Sequence, residues 1–337
     1  MNRKSFLFTI VLMSGVLLGG IVIGSTNVGA VDILNIIMNK LFNFPLPNRI
    51  QANDVAIIWN LRLPRVILAF LVGGALSASG AVVQSVLKNT LASPYTLGVS
   101  SGASFSAGLI MIFGLNIPFL GKLTLPLVGF FAGLITVFSV IAFAAKVDKG
   151  LSNHTIILAG MVFSLFVNAA FTIVTALSHN SIERIVFWQM GSFSLRGWSY
   201  VKAALIFFII GIIGVLRYTR EMDLLTFGEN EAKVNGVETE KVKRILLVFS
   251  SILTGSAVAL SGTIGFVDLI APHVARKIFG SRHIYVLPMS IIFGGTLMVI
   301  SDMIARTLIS PSELPVGAIT AIVGAPFFAY IYFKKKE

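Results

Sequence analysis

Apolar residues run along this chain in long blocks separated by short polar segments. Each block approaches the roughly 20 residues that one helix needs to cross a bilayer. Ten are read, at 5–27, 63–87, 94–114, 123–145, 154–178, 199–217, 244–261, 264–279, 285–309 and 314–333. The two between 244 and 279 are the least clearly separated. The pattern predicts an all-α polytopic membrane protein with about ten transmembrane helices, a single domain over residues 1–337. The first block follows Arg3 and Lys4 and ends near Val28-Gly29-Ala30, the outline of a signal peptide. Its apolar run exceeds the usual length of about 7–15 residues, so it is read as a retained span. The longest polar segments are 28–62 and 217–243, and neither is long enough for a soluble domain. Segment 179–198 carries Trp188 and Trp198 and is read as an interfacial helix, because tryptophan anchors at the membrane–water boundary.

Small residues add detail. Gly73-Gly74-Ala75-Leu76-Ser77-Ala78-Ser79-Gly80 resembles Gly255-Ser256-Ala257-Val258-Ala259-Leu260-Ser261-Gly262 at the first, third, seventh and eighth positions. The two copies would run in opposite directions, a weak inverted repeat of the kind that builds many transporters. Close helix packing explains the same residues, as it does the GxxxG spacings of Gly20 with Gly24 and Gly98 with Gly102. Pro94, Pro118, Pro126, Pro272, Pro288, Pro315 and Pro326 are placed at or near span boundaries, where the missing N–H costs nothing. Asn89-Thr90-Leu91-Ala92-Ser93-Pro94 reads as a polar break at membrane depth. Such a break is tolerable only inside protein or beside a water-filled cavity.

Composition fits this class. Of the residues 56% are hydrophobic and 12% charged, against about 25% charged in soluble domains, and the mean hydropathy is +0.91. An ordinary soluble enzyme and a disordered chain are excluded. The net charge of +12 lies in loops between apolar runs rather than on a polar surface, so it does not indicate nucleic-acid binding. With the N-terminus inside, 17 of the 26 Lys and Arg residues fall on the inner side, among them Arg3, Lys4, Lys88, Lys146, Lys149 and the cations of 217–244. The positive-inside rule therefore places both termini in the cytoplasm. Nine cations remain outside, including Arg62, Arg65 and Arg306. Cysteine is absent, which removes disulfides, thiolate metal sites and thiol nucleophiles.

Candidate chemistry is sparse. Gly98-Val99-Ser100-Ser101-Gly102 matches G-x-S-x-G but opens an apolar helix instead of joining a strand to a helix. His154, His179, His273 and His283 have no metal-binding or catalytic spacing, and there is no G-x-x-x-x-G-K-[ST] phosphate loop. Asp268 and Asp302 lie in or near apolar segments. Intramembrane acids often mark proton pathways, which keeps a proton-coupled secondary transporter as the rival class. Asp302 precedes Arg306 by four residues, the spacing of a pair on one helical face, and Asp268 is placed near the exposed end of a short span.

Several segments occur together in order: Leu61-Arg62-Leu63-Pro64-Arg65, Ser79-Gly80-Ala81 with Gln84, Lys88 to Pro94, and Leu97 to Ala103. Gly228-Glu229 with Ala232 and Gly236-Val237 follows, then Gly265-Phe266-Val267 with Pro272-His273, and Ala305-Arg306. The end reads Glu313 to Gly317 and Gly324 to Phe328. Over nearly the whole chain this resembles the FecCD-type permeases, the membrane subunits of ABC importers for iron-siderophores, haem and cobalamin. It departs from the usual pattern at Thr90, where proline is common, and at Asp268, where glycine is common.

The resemblance implies a ten-helix permease in the inner or plasma membrane of a bacterium. Its partners would be a second, identical or homologous permease, two cytoplasmic ATPase subunits and an extracytoplasmic solute-binding protein. The chain itself would bind no cofactor and hydrolyse no ATP. Ferric siderophores are the favoured cargo, with haem and cobalamin as alternatives. Arg62, Arg65 and Arg306 would receive glutamates of the binding protein. Lipid headgroups and pairing with Asp302 are their competing roles. Gly228, Glu229, Ala232, Lys233, Gly236 and Val237, within the loop at about 217–243, would dock into the ATPase, against the alternative of a solvated surface loop. Asn89, Leu91, Asn153 and His154 would lie near the inner mouth of the pathway, with helix-end capping the competing role of both asparagines.

Overall fold

The computed structural model describes residues 3–24, 28–176 and 181–334. His179, Lys335 and Lys336, used in the sequence reading, lie outside them. Every regular element among the described residues is helical. The chain begins with α1 (Arg3–Val22) and α2 (Ala30–Phe42). A rod follows in which α3 (Ala52–Ala56) passes through a π-helical stretch, Ile57–Arg62, into α4 (Leu63–Val86). Next come α5 (Val99–Phe113), α6 (Thr124–Val147), α7 (Asn153–Ala176), α8 (Ile182–Gln189) and α9 (Trp198–Leu216). Two short helices, α10 (Thr219–Phe227) and α11 (Glu229–Val234), lead into α12 (Thr239–Ser261). The chain closes with α13 (Val267–Phe279), α14 (His283–Thr307) and α15 (Val316–Lys334).

All ten apolar blocks contain a helix, yet only seven helices among the described residues are long and apolar enough to cross a membrane. At 15 and 13 residues, α5 and α13 are shorter than a full crossing. Each is preceded by non-α-helical backbone, so the two short spans are broken elements rather than complete rods.

Helix α4 is buried along nearly its whole length, and its small residues explain how neighbours reach it. A Cβ at Gly73 would collide with the Gly294 carbonyl of α14, and one at Gly80 with the Asp268 carbonyl of α13. Such contacts bring helix backbones together where no hydrophobic force from water is available. Ser79 bonds the Ser250 carbonyl at 2.8 Å and the Thr254 hydroxyl at 2.6 Å, joining α4 to α12. The two octapeptides of the suggested repeat end differently. Gly80 is inside α4, whereas Gly262 terminates α12 at φ +83°.

Three local expectations are corrected. Trp188 is buried against Ala103, Ala107 and Val258, so it packs the protein instead of anchoring in lipid. Pro272, Pro288 and Pro326 lie inside α13, α14 and α15, past their boundaries. Asp268 is buried in the first turn of α13, not near an exposed end.

Candidate functional site: two ends of one bundle and a polar break

The 24 residues of α4 span about 36 Å at a rise of roughly 1.5 Å each. They separate an arginine-rich end from a loop-rich end. At the first, Arg62, Arg65, Arg196 and Arg306 line one cavity of about 270 Å³ with Glu313, Ser194 and Leu195. The three arginines singled out in the sequence therefore do come together, each already engaged within the chain. Arg62 donates to the carbonyls of Ile21 at 3.2 Å and Val22 at 3.1 Å, and Arg306 donates to that of Gly20. Two cations thus cap the C-terminal end of α1, the end at which a helix dipole favours positive charge. This fastening gives α1 a place in the folded bundle.

Arg65 is clamped by two carboxylates. It meets Asp302 at 2.8 Å and Glu313 at 2.7 Å. The expected Asp302–Arg306 pair is secondary, at 3.8 Å, since Arg65 takes both Asp302 oxygens first. Burial pushes the Glu313 carboxyl up, but the hydrogen bond and charge of Arg65 outweigh it and hold Glu313 below the usual carboxylate range. Arg196, which sequence reasoning missed, stacks over the Tyr200 ring at 4.7 Å.

The polar break between α4 and α5 satisfies its own backbone. The side chain of Asn89 accepts from the Leu91 amide at 2.9 Å, and a 3₁₀ turn over Pro94–Leu97 ends at Gly98 with φ +82°. Tyr95 donates to the Ile264 carbonyl at 2.8 Å, and Ser93 donates to Asp268 at 2.5 Å. Helix α7 rests on this turn, since a Cβ at Gly160 would strike the Thr96 carbonyl. Beside it opens a cleft of about 440 Å³ lined by Tyr95, Ser100, Ser101, Ser104, Ser164, Asn168, Gln189 and Thr263. Its chemistry is that of hydroxyls and amides, with no carboxylate, imidazole or ammonium among the lining residues.

At the loop end, Ala232, Gly236 and Val237 form one folded unit. The Val237 amide bonds the Ala232 carbonyl at 3.0 Å and the Gly236 amide bonds that of Lys233 at 3.0 Å. This is a Schellman ending for α11, with glycine in the left-handed position. Lys233 pairs with Glu240 at 2.8 Å across the turn. A Cβ at Gly236 would meet nothing, but φ there is +81°. Gly236→Val is therefore expected to cost about 1–2 kcal/mol through backbone strain alone, while Gly236→Asn costs less. If this turn couples ATP hydrolysis to uptake, the loss of coupling should follow the order Val, Asn, wild type; equal coupling in all three would remove the turn from the mechanism.

The loop is anchored twice. Asp223 of α10 accepts from the His283 amide at 2.8 Å and contacts its ring nitrogen at 2.6 Å. The far side of that ring touches Ser85 of α4. Glu229 meets the fully buried Lys243 at 2.5 Å. Asn153, expected near an inner mouth, bonds Lys243 at 3.2 Å, whereas His154 and Leu91 are exposed. Neither Lys243 nor Asp223 was singled out in the sequence. A signal existed for Lys243: Thr239, Val242, Leu246, Leu247 and Ser250 form the buried stripe of α12, and Lys243 interrupts it.

A bundle of spanning helices with two broken elements, an arginine cavity at one end and a rigid anchored loop at the other is the architecture of a membrane permease. The chain belongs to the FecCD transport family, whose model matches residues 10–334. It is 46% identical over 279 residues to the uncharacterized ABC transporter permease protein YvrB of Bacillus subtilis, covering 83% of this chain and 79% of that one. It is 36% identical to the hemin transport system permease protein HmuU of Yersinia pestis, covering 83% and 84%. With the iron(3+)-hydroxamate import system permease protein FhuG of Bacillus subtilis the identity is 34%, covering 84% and 85%. A solved structure, described as an ABC transporter of metal-chelate type in an inward-facing conformation, superposes with a TM-score of 0.83 at 28% identity, covering 99% of this chain and all of the other. The protein is thus a multi-pass ABC importer permease.

Proposed function

We propose that this permease translocates a ferric siderophore, delivered by an extracytoplasmic solute-binding protein and driven by ATP hydrolysis on separate subunits. The carrying observation is the cleft beside the polar break. Hydroxyl and amide groups there suit the oxygen-rich periphery of a chelate, which already satisfies its iron. A bare metal ion would call for carboxylate, imidazole or thiolate ligands, and haem, a flat and largely apolar macrocycle, suits such a lining less well. The likeness to an iron(3+)-hydroxamate permease supports the reading.

In this reading all ten helices count as spans, both termini face the cytoplasm, and the arginine cavity faces outward to receive acidic residues of the binding protein. The turn formed by Gly228, Glu229, Ala232, Lys233, Gly236 and Val237 docks into the ATPase. The exposed apolar face of α7, which includes Leu158, Leu165 and Phe166, meets the second permease, so that Ser164 and Asn168 face the pathway. Asn89, Leu91, Asn153 and His154 sit towards its inner mouth.

The transporter, reconstituted with its ATPase and binding protein, should accumulate a ferric hydroxamate or catecholate chelate when ATP is supplied. Preferential uptake of hemin or cobalamin under the same conditions would reassign the cargo and leave the transporter class intact.

A further inference from the structure

Lys243 lies in the second turn of α12, and its ammonium group is fully buried. A buried charge is tolerated only when its hydrogen-bonding capacity is met. An ammonium has three N–H donors, and here each has an acceptor, two at the start of α7 and one on α11. They are the Leu151 carbonyl at 3.1 Å, the Asn153 side-chain oxygen at 3.2 Å and Glu229 at 2.5 Å. Leu151 belongs to the turn between α6 and α7, Asn153 is the first residue of α7, and Glu229 is the first residue of α11. One side chain therefore ties the short docking helix to the start of a spanning helix.

We propose that Lys243 is the positioning residue that carries movement of α11 into the start of α7, and so links ATPase docking to the inner mouth of the pathway. This rests on the docking role assigned to the 217–243 loop above.

The surroundings favour transmission over dissipation. The turn before α7 is stiff: Asp148 accepts from the amides of Gly150 and Ser152, each at 2.9 Å. The Ser152 hydroxyl and amide bonds hold its carboxyl below the usual range. Leu151 is buried with φ +49°, a conformation that persists only where the surroundings impose it. A pull on its carbonyl therefore moves the turn as a unit. At the other end, α11 meets α10 at the single residue Gly228, while its far end is fixed by the Schellman turn and the Lys233–Glu240 pair. A tilt of α11 must displace the Glu229 carboxylate, and Lys243 follows. Helix α7 in turn rests on the 94–97 turn beside the hydroxyl cleft. Apolar replacement of a buried ion pair is often neutral for stability, so Lys243→Met can test the role of the three bonds without presupposing loss of the fold.

The cysteine-free chain gives a direct readout. His154→Cys places a thiol at an exposed position one residue from Asn153. Its maleimide labelling rate is compared with and without ATP in the complete transporter, assembled with cysteine-free partner subunits. The wild-type background should show an ATP-dependent change of several-fold. Lys243→Met should reduce it to less than two-fold while the ATPase still co-purifies. Glu229→Ala should act in the same direction, the double variant should be no worse than Lys243→Met alone, and Lys243→Arg should restore part of the response. A full response in Lys243→Met would overturn the proposal. If Lys243→Met fails to assemble, Glu229→Ala decides, because it removes the α11 acceptor and leaves Lys243 the Leu151 and Asn153 oxygens; an undiminished response there overturns it equally. Docking is tested separately by cross-linking Lys233→Cys to the ATPase. Absence of that cross-link in the wild-type background would refute the docking role, and with it the route from the ATPase, whatever the labelling shows.

Discussion

Replacing Arg65 by leucine is expected to remove a large part of the protein's stability. Asp302 would remain buried, with Arg306 at 3.8 Å as its remaining cation. Breaking a buried pair from one side costs about 3–5 kcal/mol, against a whole-domain stability of roughly 5–15 kcal/mol. Thermal unfolding of the purified protein measures this, and a melting temperature within about 2 °C of wild type would contradict it. Arg65→Leu combined with Asp302→Leu should recover most of the loss, since apolar replacement of both partners is commonly neutral or stabilising. The double variant then supplies a folded permease without the Arg65 charge. If the binding protein pairs with Arg65 itself, its complex with the double variant should dissociate faster, while the association rate and its salt dependence should hold, because one charge of each sign has been removed. Reversing Arg62, Arg65 and Arg306 together would be a poorer probe, because two of the new carboxylates would face the carbonyl end of α1. The pH dependence has a definite sign. Glu313 is held below its ordinary value by Arg65, so its contribution is complete above the unfolded carboxylate's pKa and disappears as pH falls through the lowered native value. Acid should therefore destabilise the wild type more than the double variant.

The positions of the apolar helices and of the turn at 228–237 were legible in the sequence because they depend on local properties. Apolar length located every long helix, and the spacing from Gly228 to Val237 marked a turn that proves to be a single Schellman unit. Contacts between distant residues were not legible. The periodicity of α14 offers Arg306 to Asp302, but the folded chain brings Arg65 from 237 residues away and places it closer. Trp188 resembles an interfacial anchor by composition and becomes buried because α8 packs on α5. Lys243 was counted as one cation among the loop charges, although its place on the apolar stripe of α12 is visible once the helix period is drawn through Val242 and Leu246. Its three acceptors come from two segments, 151–153 and Glu229, that no local pattern connects. The break at 89–94 was legible as polar, but the hydroxyl cleft beside it needs α7 and Thr263 for its walls.

Uptake is expected to stop when the ATPase partner is inactivated and to continue when a protonophore removes the proton gradient. A proton-coupled mechanism needs titratable groups arranged as a relay through the membrane. The two acids that raised this possibility are differently employed. Asp302 is neutralised by Arg65 at 2.8 Å. Asp268 sits in the first turn of α13, where negative charge complements the helix N-terminus, and accepts the Ser93 hydroxyl at 2.5 Å. Its bond fastens the polar break to α13, a structural task that an amide oxygen also performs. Asp268→Asn should therefore keep ATP-driven uptake within about two-fold of wild type, because the asparagine amide oxygen can accept the same Ser93 hydroxyl. Uptake should also show no new dependence on external pH. A drop of more than about ten-fold in that variant, in a protein whose wild-type uptake is abolished by the protonophore and indifferent to ATPase inactivation, would instead place Asp268 in a proton relay.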